Sequence, residues 1–455
     1  MSGLSLILES ARRALQAQQV GLGVTSHNIA NATTPGYSRQ RAGFVPTDPI
    51  PEPYGLLGTG VTISSITRLR DQFIDGQTRD VNQSMSRSSM ENQILTQVQS
   101  SFNEPSDTAL SGTLSQFFSG WQDLSVNPED SSSRNAVLQR GVLLAQSFHS
   151  LSGELTQLRS SLADDVTAKL TKINTLTSEL SKLDLQITSA SAMGQDANDA
   201  MDQRDEKLQE LSGLVNINVS YDARGSMTVA TGGSVIASGA GSLDLVSSVS
   251  GNNIVIQTAL GGANLSITGG ELGGVLNQYN TSIPATLAQL DQTAGALITR
   301  MNQIHQAGFG LGTPPPTGTA FFTGTGAADI NVNAAVMADT NLIAASSDGT
   351  PGNNTNALAL AGVSEEKLLN GNSVTIGGFY YGIVCSLGSA VDSSSNTMQQ
   401  QQSVLTGLEN QQSSVSGVSI DEEMTNMITY QKGYAAAAKL VTTVNSMFDT
   451  ILQMV

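Results

Sequence analysis

The sequence is poor in the residues that carry chemistry. Its 455 residues include one cysteine, Cys385, one tryptophan and three histidines, His27, His149 and His305. A single cysteine excludes an intrachain disulfide, and we expect its side chain to be packed in the interior. The histidines are far apart and match no zinc-ligand spacing, and the sequence contains neither a P-loop nor a nucleophile elbow. We therefore predict no catalytic residue, no metal site and no cofactor, and we do not expect an enzyme.

Basic residues are also scarce, since 21 lysines and arginines stand against 38 aspartates and glutamates and the formal net charge is −17. Nucleic-acid binding needs a basic surface, so we predict no nucleic-acid partner. No segment approaches the ~18 consecutive apolar residues of a membrane helix, which predicts no membrane insertion. The short apolar run near the start is followed by Arg12 and Arg13 and has no positive charge before it, so we expect no cleaved signal peptide.

One acidic cluster is a candidate cation site. It is DANDAMDQRDEKLQEL at residues 196–211, where Asp199, Asp202 and Asp205 are three apart and share one helical face. The alternative is a helix N-terminal turn whose carboxylates pair with Arg204 or Lys207. Hard cations prefer six or more oxygens from converging loops, so we favour the paired arrangement.

The two ends of the chain carry heptad patterns. Near the start, apolar residues recur every seven positions and predict a long helix, after which Pro35-Gly36 predicts a turn. Near the end, steps of three and four predict a second seam. Its members are Met424, Met427, Gln431, Tyr434, Ala438, Val441, Asn445, Phe448 and Leu452. The first 41 residues carry four arginines against Glu9, whereas residues 416–455 carry four carboxylates against two lysines. We expect the two helices to pair with weak charge complementarity; the alternative is that each packs separately on a central domain.

The interior combines helical and strand patterns. Stripes of apolar residues at 74–102, 151–187 and 283–304 predict long helices, while residues 214–268 are rich in β-branched residues and glycine turns. The predicted fold class is therefore mainly α with an inserted β domain, elongated and multi-domain, with N- and C-terminal helices pairing as a coiled-coil-like terminal domain. The predicted domains are 1–45 plus 415–455 (terminal helical assembly domain), 46–213 plus 269–414 (elongated helical bundle with irregular segments) and 214–268 (small β-rich outer domain).

The stretch SHNIANATTPGYSRQRA at residues 26–42 is predicted to specify a contact between subunits. Asn28 and Asn31 lie on one face at the end of the first helix, where their amides can cap free carbonyls or bond across a neighbouring chain. A plain helix cap and turn is the simpler interpretation, and the two are compatible. The predicted subunit interface comprises Leu8, Leu15, Leu22, Asn28, Ile29, Asn31, Pro35, Gly36, Tyr37, Arg39, Met427, Tyr434, Val441, Asn445, Phe448 and Leu452.

The same stretch, with the tail at residues 416–452, resembles the signatures of bacterial flagellar axial proteins. Three internal stretches resemble the hook-associated protein 1 (FlgK) family in particular: GTGVTISSITRLRDQF (58–73), SVNPEDSSSR (125–134) and NDAMDQRDEKLQELS (198–212). The resemblance covers nearly the whole chain. The chain is short for that family, which suggests a reduced outer domain.

The resemblance implies a structural subunit of the bacterial flagellum, exported through the type III apparatus, that joins hook to filament. The implied partners are further copies of the chain in a ring, the hook protein, the second hook–filament junction protein and a cytoplasmic export chaperone that binds the C-terminal region. The alternatives are a hook or distal-rod subunit, in which we would not expect the stretch at 198–211, and an enzyme or adhesin carried on an axial scaffold.

Overall fold

The chain is described by a computed structural model that covers residues 2–52, 55–222 and 224–453. Within these residues the fold is mainly helical, as predicted. The helices are α1 Ser2–Ala30, α2 Gln72–Phe102, α3 Leu110–Val126, α4 Ser131–Ala192, α5 Asn198–Leu214, α6 Gly270–Asn277, α7 Ile283–Ala307, α8 Ala334–Ala338, α9 Thr355–Gly362, α10 Ile376–Ser416 and α11 Ile420–Gln453. A five-residue π-helical segment, Gln278–Ser282, joins α6 to α7.

The strands are short and antiparallel. They are β1 Gln40–Pro46, β2 Ile50–Glu52, β3 Gly55–Leu57, β4 Val61–Arg68, β5 Asn218–Tyr221, β6 Met227–Thr231, β7 Ser234–Ser238, β8 Gly241–Ser242, β9 Leu245–Ser250, β10 Asn253–Thr258, β11 Phe322–Thr323, β12 Asn331–Val332, β13 Lys367–Leu369 and β14 Val374–Thr375. One sheet has four strands in the order β5-β6-β7-β8, and the others are the pairs β1-β4, β2-β3, β9-β10, β11-β12 and β13-β14. The pair β1-β4 was not predicted, because no strand was predicted before residue 214.

Helix α4 is the longest helix in the described part of the chain. Its 62 residues extend about 93 Å at 1.5 Å per residue. The Asp130 carboxylate accepts a hydrogen bond from the Ser133 amide (2.8 Å) and caps the first turn. The predicted apolar stripe is confirmed, since Leu155, Val166 and Leu180 are fully buried. This long buried face explains why a chain with few aromatic residues still builds one continuous core.

The predicted β-rich segment is confirmed as six strands packed against the second half of α4. The side chain of Asn174 donates to the carbonyl of Leu245 (2.9 Å) and accepts from its amide (2.8 Å), which anchors β9 to the helix. Met227 and Ile236 from the strands join the same hydrophobic core as Leu180. The insert therefore shares its apolar interior with the helical body.

The structure corrects the expectation for the single cysteine. Cys385 was expected to be buried, but its side chain is exposed on α10 because Ile383 and Leu387 form the buried face of that helix. In the described ranges, no helix has both the length and the apolar character needed to cross a bilayer.

Candidate assembly site at the terminal helices

Helices α1 and α11 pair in an antiparallel arrangement, which confirms that the two ends meet. The side chain of Asn28 near the end of α1 bonds Glu423 near the start of α11 (3.0 Å). Further along, the backbone of Gly21 faces the ring of Tyr430, and a Cβ added to the glycine would lie 3.1 Å from that ring. Lower residue numbers on α1 thus contact higher residue numbers on α11, as an antiparallel pair requires.

On the α1 side, the contact between α1 and α11 uses mostly small side chains. The buried residues of α1 are Ala11, Ala17, Gly21, Thr25 and Asn28. The buried residues of α11 are Glu423, Ala437 and Val444, a row with a seven-residue spacing that also contains the half-buried Tyr430. The small residues of α1 let the two backbones approach closely and leave room for Tyr430 in the seam.

The prediction of which α11 residues face α1 was therefore wrong, because the observed row is shifted by one position from the row that starts at Met424. Its polar members Gln431 and Asn445 are exposed, and Met424 is 53% exposed. Among the predicted interface residues of α11, Tyr434 and Leu452 are exposed as well. The half-buried members of the predicted interface flank the observed seam on both helices: Leu8, Leu15, Leu22, Ile29, Met427, Val441 and Phe448.

The signature stretch after α1 closes the helix and reverses the chain. The Asn31 backbone amide and side-chain amide both donate to the carbonyl of His27 at 3.1 Å, which caps the helix end. The amide of Tyr37 donates to the Thr34 carbonyl (3.3 Å), and Gly36 between them has φ +76°. Pro35 and Gly36 thus occupy the central positions of a type II turn, as predicted. Both residues are exposed.

Asn28 organises this stretch from inside. Its side-chain amide donates to the Gln40 carbonyl (2.9 Å) and to Glu423 (3.0 Å), and its oxygen accepts from the Gln40 amide (2.9 Å) and the Tyr37 hydroxyl (2.7 Å). Burial, reinforced by nearby carboxylates, raises the pKa of Tyr37 and keeps its hydroxyl protonated. Asn28 is 1% exposed, and all four of these hydrogen bonds are made within the chain.

Arg39 carries the charge complementarity between the two ends. Its guanidinium binds Glu423 through Nη2 (2.7 Å) and Nε (2.9 Å), and Glu422 through Nη1 (2.8 Å). Its backbone amide donates to the carbonyl of Ser416 at 2.9 Å. Arg39 therefore fixes the segment after the turn against both the end of α10 and the start of α11.

The acidic cluster on α5 pairs with arginines from the N-terminal segment. Arg68 donates to Asp202 (2.7 Å) and Asp205 (2.8 Å), and Arg70 lies 3.4 Å from Asp205. The prediction that these carboxylates pair with basic residues is confirmed. The predicted partner Arg204, however, is 3.7 Å from Asp205 and is farther from it than Arg68 is. The remaining carboxylate, Asp199, accepts from Gln40 (2.8 Å) and lies 3.4 Å from His27. In the part of the chain that the structure describes, no group of three His, Cys, Asp or Glu residues could hold a metal ion.

These contacts join the terminal helices to the helical body. The backbone amide of Ser38 donates to Asp202 (2.9 Å), and Gln412 of α10 donates to Asp75 of α2 (2.6 Å). Asp75 also accepts from Arg70 at 2.7 Å. We call this polar arrangement the joint; its residues are Asn28, 37–40, Arg68, Arg70, Asp75, Asp199, Asp202, Asp205, Gln412, Glu422 and Glu423.

The most buried histidine has a structural role. His305 accepts from the Ala344 amide (3.0 Å) through one ring nitrogen and donates to the Thr319 carbonyl (2.7 Å) through the other. Burial lowers the pKa of His305 to about 4, so the ring is neutral near pH 7.

The ends of the chain match families of flagellar basal-body proteins. Residues 8–37 match the flagella basal body rod protein family, and residues 410–454 match the C-terminal region of the flagellar basal body rod FlgEFG proteins. With the paired terminal helices, these matches define the class as that of flagellar axial proteins.

Between the ends, residues 95–322 match the helical domain of flagellar hook-associated protein FlgK. Flagellar hook-associated protein 1 of Bacillus subtilis (strain 168) is 30% identical over 99% of this chain and 98% of its own length. The Escherichia coli (strain K12) protein of the same name is 24% identical over 99% of this chain and 100% of its own. The chain belongs to the flagellar hook-associated protein 1 (FlgK) family.

A solved structure supports the fold. The flagellar hook junction protein FlgK from Burkholderia pseudomallei matches with a TM-score of 0.65 and 17% identity, over 75% of this chain and all of that one. The alignments with the two relatives above extend over 509 and 545 positions, more than the 455 residues of this chain. Both relatives thus contain segments that this chain lacks.

Proposed function

We propose that the chain is a structural subunit that forms the junction between the flagellar hook and the filament. The observation that carries this proposal is the alignment with hook-associated protein 1 relatives over 99% of the chain, including both terminal helices. The joint supports the same conclusion, because its polar residues are engaged in fixing one segment against another. On this account the protein acts by holding a shape and does not catalyse a reaction.

Assembly proceeds through the terminal helices. Leu15 and Leu22 are half-buried beside the seam, and Leu452 is 74% exposed. A pair of helices leaves such side chains partly in water, whereas contact with further helices would remove them from it. The sixteen predicted interface residues are therefore proposed to meet other copies in the assembled ring, except Asn28, which organises the interface from within.

The remaining features follow from this role. We infer that the partners are further copies of the chain, the hook protein, the second hook–filament junction protein and an export chaperone that holds the C-terminal region before secretion. The protein would be extracellular, at the hook–filament junction, after type III export without a cleaved signal peptide. Residues 1–45 plus 415–455 would form the assembly domain, 46–213 plus 269–414 the helical bundle, and 214–268 a small β-rich outer part.

Deletion of the gene tests the proposal. We expect cells with hooks but no filaments, and unpolymerised flagellin in the medium. Restoring the full chain should restore filaments, whereas a chain that ends at residue 415 should not. Loss of the hooks as well would indicate a hook or rod subunit, and normal filaments would refute the proposal.

A further inference from the structure

A groove opens beside the joint. Four segments line it: the turn at residues 32–38, α2 at Asp75–Arg79, α5 at Asp205–Glu210 and the end of α10 at 409–418. Its volume is about 590 Å³, enough for several side chains of a docking partner. We call it the joint groove. The turn that follows α1 forms one of its walls.

The joint groove is acidic. Five carboxylates line it against two guanidinium groups. Asp75, Asp205 and Glu210 have ion-pair partners within the chain. Glu206 on α5 and Glu409 on α10 are exposed, and neither forms an ion pair with any residue that the structure describes. These two carboxylates therefore offer free negative charge on two helices that border the same groove.

The outer face of α11 offers the complementary pattern. Lys432 and Lys439 are exposed and form no ion pair among the described residues. They are seven residues apart, about 10.5 Å along the helix. At 100° per residue both lie about 200° from the seam row, so they face away from α1. Ala435 and Ala436 lie between them and are also exposed, which leaves a low surface that can approach other helices closely.

We propose that the lysine face of α11 from a second copy of the chain, residues 432–439, docks over the joint groove. Lys432 and Lys439 then pair with the free carboxylates Glu206 and Glu409. The occupant is a second copy because Lys432 of the same chain lies twelve residues, about 18 Å along the helix axis, beyond Ile420 at the start of α11, whereas the groove borders the end of α10, before that start. This inference rests on the proposed function, since it assigns one contact of the assembled ring.

Cysteine cross-linking in isolated flagella tests the contact. Cys385→Ser removes the exposed native thiol, and Glu409→Cys with Lys439→Cys then places one new thiol on each proposed surface. The matched control keeps Lys439→Cys and moves the other thiol to Met193→Cys, which is 70% exposed but outside the groove. Oxidation should give a ladder of covalent multimers for the first pair and only monomer for the control.

The outcomes separate the two proposals. If the chain is absent from isolated flagella, the junction function fails, and the docking contact fails with it. If the chain is present but gives no ladder, or gives equal ladders with both pairs, only the docking contact is refuted.

Charge reversal provides a second test. Glu206→Lys with Glu409→Lys should weaken the contact roughly tenfold and reduce the number of cells with filaments. Adding Lys432→Glu and Lys439→Glu should restore the strength of the contact and the number of cells with filaments. Failure of the second pair to rescue the first, with the protein still secreted, would overturn the assignment.

Discussion

Asn28 offers the sharpest test of how the signature stretch works. Asn28→Ala removes four hydrogen bonds at a site that is 1% exposed. Each such bond contributes ~1 kcal/mol net, and water entering the new space recovers part of the loss. We therefore expect the local unfolding free energy of the joint to fall by about 3 kcal/mol, which corresponds to roughly 100-fold faster amide exchange.

Hydrogen exchange read by mass spectrometry measures this directly. Peptides that cover residues 20–45 and 418–435 should exchange faster, whereas peptides from residues 151–187 should not change. Asn31→Ala is the matched control, because its side chain bonds only local partners and its backbone amide still caps the helix. We expect less than about 1 kcal/mol for the control. An equal change in both variants would refute the reasoning.

Three further perturbations follow from the same structure. Gly21→Leu places a side chain against the ring of Tyr430 on α11, so it should lower the free energy of unfolding by about 1–3 kcal/mol and lower the thermal unfolding midpoint. The control Gly23→Leu places its side chain in open space and should not lower the midpoint. Arg68→Gln removes the nearest cation from the buried carboxylates of Asp202 and Asp205 and leaves Arg70, at 3.7 and 3.4 Å, as the nearest cation that remains. It should cost about 2–3 kcal/mol in denaturant titrations, compared with less than about 1 kcal/mol for the exposed pair broken by Arg140→Gln. His305 binds a proton more weakly in the folded chain than in the unfolded chain, so the free energy of unfolding should fall by about 3 kcal/mol from pH 7 to pH 4. His305→Gln should remove this part of the pH dependence, and an identical pH dependence in the two proteins would contradict the assignment.

The sequence predicted the helices well because their apolar stripes are long. The stripe in α4 recurs over 37 residues from Leu151 to Ile187, and only a helix can bury such a pattern on one face. The type II turn was equally predictable, since Pro35-Gly36 meets its backbone requirements without help from the rest of the chain.

The seam between the ends was harder to predict because periodicity does not identify which row faces the partner. Rows that start at Met424 and at Glu423 share the same seven-residue spacing. The space on α1 favours one row: Gly21 leaves room for the ring of Tyr430, which belongs to the row that starts at Glu423. Glycines within a helix pattern were the available signal.

The joint could not be predicted from local patterns. Arg68 and its partner Asp202 are 134 positions apart, so only the folded chain brings them together. The exposure of Cys385, by contrast, was available from periodicity, because Ile383 and Leu387 define the buried face of α10 and Cys385 lies opposite to it.

The position of the protein in the flagellum tests the central claim most directly. An epitope inserted after Leu260, a residue that is 87% exposed in a turn beyond β10, can be labelled with gold-conjugated antibody on isolated flagella. The account predicts one narrow band of label at the boundary between hook and filament, in cells whose motility is preserved. Label along the length of the hook, along the rod or along the filament would contradict it.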